Sequence, residues 1–359
     1  MSLTSLLKKD QVFQTIVQDS LPQREHFVST GDFPAFSHNP RLLVSDNNRF
    51  SELSGLVGTA SDYAFRFIIA KHTYDVTFSV LNSLIAKKGV EVSLNPVHQL
   101  EYEMSIDCIK AYILSPSLSC SHIINACYVF AKLEMIYRSK DILSFDVSPS
   151  FFADDPLTCE IEDEILQMCQ LFEKTFLSSG LVLHSSFVKN NPTFSHLTIV
   201  CRGADADIQL DGTLYDFKSS IHLGYHWKEV AQVYCYFLFD CLERIYHEII
   251  APKYDPERIH LIAFYRSRYG IIEHFDTSLI PKDDLALVLT KIKEYLFRKD
   301  YSLRIHRLES IIASSDNNEG SQNNQFLMRC KKNYEELIEL RNFKNVVTQN
   351  RIKEWVHSL

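Results

Sequence analysis

GADADIQLDGTLYDFKSS, residues 203–220, places two short alternating runs on either side of Asp211-Gly212. An Asp-Gly pair suits a type I′ turn, which needs positive φ at both central residues, so the stretch predicts a tight hairpin. With those two residues in the turn, Leu210 faces Thr213, Asp207 faces Asp216 and Asp205 faces Lys218. Side chains alternate along a strand, so Asp205, Asp207, Asp216 and Lys218 project to one face, with Gln209 and Leu214 nearer the turn. Ile208, Leu210, Tyr215 and Phe217 make the other face apolar. Like charges directly opposite each other destabilise a sheet, so Asp207 against Asp216 calls for a compensating cation. Lys218 supplies one positive charge and a divalent metal would supply the rest. Carboxylate oxygens suit Mg²⁺ or Mn²⁺ rather than zinc. The plainer alternative is a surface hairpin with a solvated charged face. The clean split between a charged face and an apolar one favours a site.

Asp207 followed by Asp216-Phe217-Lys218 on the neighbouring strand resembles the PD-(D/E)xK nuclease superfamily. There two acids hold the metal and the lysine assists the attacking water. Two further stretches resemble its RecB-like exonuclease branch. Downstream, Gln232-Val-Tyr-Cys-Tyr236 is similar to that branch's Gln-x-x-x-Tyr element. Upstream, Gly58-Thr-Ala-Ser-Asp62 resembles its Gly-x-x-x-His helix opening, with Asp62 where the family usually has histidine. Asp62 is then either another metal ligand or the partner of Arg66 one turn on. The three motifs run from Gly58 to Tyr236, about half of the chain.

The resemblance implies an α/β fold with a PD-(D/E)xK nuclease-like core, a mixed sheet flanked by helices, to which a helical insertion and a helical C-terminal end are added. It implies a metal-dependent nuclease that hydrolyses phosphodiester bonds, with DNA as substrate. Asp207 and Asp216 take the metal, and Lys218 orients or deprotonates water or stabilises charge on the phosphate. Asp205, on the same face, is the alternative first ligand, because a two-residue slip in register would exchange it for Asp207. Asp62, Lys228, Gln232 and Tyr236 are the supporting residues.

The segment after Ser219-Ser220, YHWKEVAQVYCYFLFDCLERIYHEII, predicts one long helix. Lys228, Gln232 and Tyr236 recur every four residues and share a stripe that can line the rim of the site. The competing reading buries Tyr236 in the core and leaves Gln232 and Lys228 on a solvated edge.

Composition sets the outer bounds. The chain has 359 residues, 46% of them hydrophobic, enough for one large core or two moderate ones. Ten glycines and eleven prolines are too few for a disordered or repetitive protein. The opening residues lack the apolar core of a secretory signal and no apolar run is long enough to span a bilayer. The expectation is a soluble, cytoplasmic protein without a membrane partner. None of the nine cysteines forms a Cys-x-x-Cys pair, so no zinc site is expected. Some RecB-like nucleases hold an iron–sulfur cluster with one early cysteine and a close trio near the C-terminus. Here no cysteine precedes Cys108 and only Cys330 follows Cys241, so no cluster is expected. The net charge of −8 lends no support to nucleic-acid binding. The basic clusters are short: Lys87-Lys88, Lys331-Lys332, and Arg266-Ser267-Arg268, whose flanking Tyr265 and Tyr269 make it the candidate for phosphate contact or stacking.

Along the chain, residues 1–50 read as an N-terminal helix and an irregular segment, and 51–87 as the first core helix. That helix is expected to start at Thr59 as N-cap and to stop at Gly89. Residues 88–180 read as a helical insertion of three helices. Glu160, Glu162 and Glu164 fall in the acidic first turn of the last one and suit its dipole. Residues 181–312 form the nuclease core: LVLHSSFVKN, HLTIVCRGADADIQL and TLYDFKSS as an antiparallel meander, the long helix, then a hairpin turning near Tyr269-Gly270. Residues 313–325 are a polar linker and 326–359 are C-terminal helices. A different class of function remains open beside the nuclease: a catalytically silent nuclease-like module that binds nucleic acid or assembles with protein partners. A retired site is expected to lose an acid or the lysine, and all are present here.

Overall fold

The computed structural model describes residues 2–45, 53–93, 95–139, 156–250, 257–315 and 324–359. The chain opens with α1 (Leu3–Lys9), α2 (Gln11–Gln18) and the short strand β1 (Val28–Ser29). Helices α3 (Ser54–His72), α4 (Ala86–Ser93), α5 (Pro96–Leu114), α6 (Ile124–Ser139) and α7 (Pro156–Thr175) follow. Next come β2 (Val188–Asn190), α8 (Ser195–Cys201), β3 (Ile208–Leu210), β4 (Thr213–Lys218) and α9 (Trp227–Ile250). The chain ends with β5 (Leu261–Arg266), β6 (Ile271–Asp276), α10 (Lys282–Leu296), α11 (Ser302–Ser315), α12 (Asn324–Val346) and α13 (Gln349–Ser358).

The strands form one six-stranded mixed sheet in the order β1-β6-β5-β4-β3-β2. All neighbours are antiparallel except β4 and β5, which pair in parallel. A parallel pair needs a crossover connection, and α9 is that crossover. The Asp211-Gly212 turn has φ of 44° and 76°, both positive as a type I′ turn requires, and it sets Leu210 opposite Thr213. The β5–β6 hairpin turns through Gly270 at φ 64°.

Helices cover both faces of the sheet. Ile208, Leu210, Tyr215, Phe217, Ala263 and Tyr265 pack into a core shared with α3, α5, α6 and α7. Leu214, Ile262, Phe264 and Phe275 pack into a second core built around α9 with α1, α2, α10 and α13. The sequence of α9 is apolar nearly all round because the helix is covered on all sides: Val230 through Tyr246 are almost entirely buried. Among the described residues, no helix is long and apolar enough to cross a membrane.

Several boundaries differ from the sequence reading. The first core helix runs from Ser54, so Thr59 lies inside it, and it stops at His72. Asp75 ends it locally: its carboxylate accepts from the Thr77 and Ser79 hydroxyls and from the Val80 N–H, while Tyr74 and Phe78 turn the chain with positive φ. Gly89 is no stop signal but lies within α4, where a Cβ would stand 1.9 Å from the Leu133 carbonyl oxygen of α6. Residues 196–201, expected as strand, fall within α8. Residues 282–312 are helical, divided between α10 and α11. Most of the expected polar linker, 316–323, lies outside the described residues.

Candidate active site

The charged face of the hairpin does not look into solvent. Asp216 and Lys218 share the side of β4 that carries Leu214, and α9 covers that side. Asp216 is only 5% exposed. Ladder pairing between β3 and β4 ends at Ile208 opposite Tyr215, one step short of the expected Asp207–Asp216 pair. The side chain of Asp207 takes over from the backbone there: its Oδ2 accepts the Phe217 N–H at 2.7 Å. This bond holds the carboxylate against β4, between the residues that carry Asp216 and Lys218. Lys218 Nζ lies 2.6 Å from Asp216 Oδ2. That ammonium is the charged partner of the buried oxygen.

Helix α3 reaches the same place through its glycine. A Cβ on Gly58 would come within 2.8 Å of the Ser219 hydroxyl, so a bare backbone lets the helix pass close to the end of β4. Asp62, one turn on, is thereby brought within the electrostatic reach of Asp207, Asp216 and Lys218. Of the two roles open to Asp62, the pairing with Arg66 is made by a bond to the backbone, Arg66 Nε donating to the Asp62 carbonyl at 3.2 Å, while the Arg66 charge also pulls the Asp62 carboxyl down against its burial.

The charges disturb one another as a packed cluster must. Burial and then the Asp216 charge push Asp207 up to about 7, although the Phe217 N–H, Lys218 and Arg66 pull the other way. Burial also raises Asp216, with Lys218 opposing it. Asp62 is held well above the usual carboxylate range by burial and by Asp207. For Lys218, burial alone disfavours the ammonium, but Asp216, then Glu229 and Asp207, outweigh it and push the group up to about 12. Lys218 is therefore a firm cation at neutral pH. It can donate to water or to a phosphate oxygen, but as placed it does not accept a proton.

The helix stripe is partly at the site. Tyr236 is buried, lies within electrostatic reach of Asp216, Asp205 and Asp207, and stacks on Phe194 with ring centroids 5.4 Å apart. Gln232 donates to the Tyr236 hydroxyl at 2.8 Å. Lys228 is exposed, its ammonium 5.5 Å from the Trp227 ring centre. Sequence reading missed Glu229, whose charge acts on both Asp216 and Lys218 and which pairs with Arg266 Nη1 at 3.3 Å. Its spacing to Gln232 and Tyr236, three and seven residues, was the available signal.

Asp205 stands apart from the pair. Its Oδ2 lies 3.5 Å from Arg138 Nη2 at the end of α6, so α6 meets the hairpin at the edge of the acid cluster. Arg266 and Arg268, the candidates for phosphate contact, are internal at 2% and 3% exposure. Arg266 pairs with Glu273 at 2.8 Å and with Glu229, while Arg268 binds Glu164 and the carbonyls of Ser45 and Ser219. Glu164 is thus committed to a buried ion pair rather than to a helix end.

The donor set suits a hard divalent ion. Asp216 is buried, Asp207 is close by, and the Asp216 charge raises the proton affinity of Asp207, a strain that a cation relieves. Among the described residues, no group of three or more acids, histidines or cysteines is arranged to hold a metal. An ion held here would take Asp207 and Asp216, leaving oxygens of water and substrate to complete its shell, as Mg²⁺ commonly prefers. Comparison with family models, with curated proteins and with solved structures returns no match to this chain.

Proposed function

We propose that this chain is a metal-dependent nuclease that hydrolyses phosphodiester bonds, with DNA as its substrate. The observation that carries this reading is the convergence of Asp207, Asp216 and Lys218 at the end of β4, two acids and one ammonium drawn together where Asp216 is buried. A divalent ion bound between the two acids supplies a Lewis acid for the phosphate and an activated water. Lys218, held charged by Asp216, donates to that water or to the phosphate oxygen on which charge builds. Gln232 and Tyr236 fix the polar wall beside the acids, and α9 keeps bulk water from one side of the site.

One observation favours the second reading, a catalytically silent module: the Lys218–Asp216 contact at 2.6 Å already neutralises one acid from within. Two measurements separate them. Calorimetry with Mn²⁺ should show binding to the native protein and loss of it in Asp216→Asn; equal binding by both removes the metal site. Degradation of linear and circular DNA with Mg²⁺ or Mn²⁺ should fall on the order of a hundredfold or more in Lys218→Ala at unchanged circular dichroism. If the native protein cuts neither DNA nor RNA, the silent module is the better reading.

A further inference from the structure

Two cations pair with acids of the hairpin among the described residues: Lys218 with Asp216, and Arg138 with Asp205. Only the second is open to solvent, with 57% of the Arg138 side chain accessible against 21% for Lys218. Arg138 is nonetheless held firmly. Its Nε donates to Glu134 Oε1 at 2.6 Å, and Glu134 Oε2 accepts the Tyr63 hydroxyl at 2.6 Å. The Tyr63 oxygen in turn accepts the Ala86 N–H at 3.2 Å, and Tyr63 is fully buried between α3 and α6. Among the described residues the outer edge of the guanidinium is lightly engaged: Nη2 makes only the 3.5 Å contact to Asp205, and Nη1 makes no hydrogen bond.

A planar guanidinium fixed from behind, with its front edge in water, matches the oxygens of a phosphate. Its place matters as much as its chemistry. It stands beside Asp205, two residues before Asp207, on a chain of net charge −8 in which Arg66, Arg266 and Arg268 are buried. A polyanionic strand approaching several carboxylates is repelled, and a cation at their edge offsets that locally.

We propose that Arg138 is a phosphate-contact residue of the site: a nucleic-acid strand reaching Asp207 and Asp216 is held at one neighbouring backbone phosphate by the Arg138 guanidinium. The inference rests on the nuclease reading and deepens it, because it gives α6 a part in binding substrate. Glu134 and Tyr63 are positioning residues that act through Arg138.

The test is binding of a labelled single-stranded DNA oligonucleotide in Ca²⁺, read by fluorescence anisotropy across a salt series, together with cleavage kinetics in Mg²⁺. Arg138→Gln should weaken binding about tenfold and lower the salt slope by roughly one phosphate, with KM raised and kcat within about threefold. Removing Arg138 alone leaves Glu134 short of a partner, so the paired variant Arg138→Gln/Glu134→Gln, which keeps the net charge, guards against misfolding. It should show the same lowered slope at native Tm. Arg138→Lys should keep the salt slope and recover part of the affinity. An unchanged slope and affinity in both Gln variants, with native protein that binds and cuts, overturns the role of Arg138 and leaves the nuclease reading standing. Native protein that neither binds nor cuts the strand overturns the nuclease reading and this inference with it.

Discussion

Asp207 shows how one residue can be costly to the fold and useful to the site. Its carboxylate replaces a ladder bond to Phe217, yet it sits beside Asp216 and Asp62, and burial with the Asp216 charge pushes it up to about 7. Asp207→Asn keeps an oxygen for the Phe217 N–H and removes the repulsion. Without divalent ions at pH 8 the variant should be more stable than the native protein by about 1–2 kcal/mol, a rise of a few degrees in Tm. The same variant should lose Mn²⁺ binding. A Tm at or below the native value at pH 8 would show that the acids do not strain the apoprotein. This residue was legible in the sequence because alternation and turn chemistry are local properties. The pairing of Asp205 with Arg138 was not, since those residues meet only through the packing of α6 against the hairpin.

Among the elements, the two helices that the sequence reading joined, α3 and α4, each carry a glycine at a close approach, with different consequences. A methyl on Gly89 would lie 1.9 Å from the Leu133 carbonyl oxygen, and backbone has nowhere to go. Alanine gains about 1 kcal/mol of helix propensity there, but the clash between α4 and α6 should outweigh it, for a net loss of about 2 kcal/mol or more. Gly58→Ala meets only the Ser219 hydroxyl, at 2.8 Å, which can rotate away, so its Tm should stay within a few degrees of native. Thermal unfolding of the two variants side by side checks the contrast, and equal losses would contradict it. The Arg268–Glu164 pair gives a third expectation. Both side chains are buried, so Glu164→Ala leaves an unmatched cation inside the protein and should cost about 3–5 kcal/mol. A loss below about 1 kcal/mol in denaturant titration would show that Arg268 finds another partner. Element identity failed where tertiary contacts overrode propensity. Residues 195–201 carry Thr198, Ile199 and Val200, a strand-like run, yet form α8 because Thr198 Oγ1 accepts the Phe194 N–H at 2.8 Å and Glu243 accepts the Leu197 N–H at 3.1 Å. Strand β1 is two residues long and leaves no period to read.

For the whole molecule, proton affinities point one way above neutral pH. Asp207 is raised to about 7 and Asp62 well above its ordinary value, both chiefly by burial. His196 loses affinity through burial but gains more from Glu243, 2.9 Å from Nδ1, and from Glu339 of α12, so it also lies above its ordinary 6.5. A group whose proton is held more tightly in the folded state contributes stability below its unfolded value and loses it as pH rises through the folded one. The opposing groups act elsewhere. Asp10, Asp75 and Asp276 lie below 3.8, and His247 and His274, lowered by burial, lie below 6.5, so their contributions are complete above about pH 6.5. Between pH 6.5 and 8.5 in EDTA, Tm should therefore fall. Adding Mn²⁺ at pH 8.5 should recover the part due to the acid cluster in the native protein and not in Asp216→Asn. The part due to His196 should remain lost, because that residue ties α8 and α9 to α12 through Glu243 and Glu339, away from the acid cluster. A Tm that is flat or rises over this range in EDTA would mean that the acids and His196 are not strained as their burial implies, and the electrostatic case for a cation between Asp207 and Asp216 would go with it.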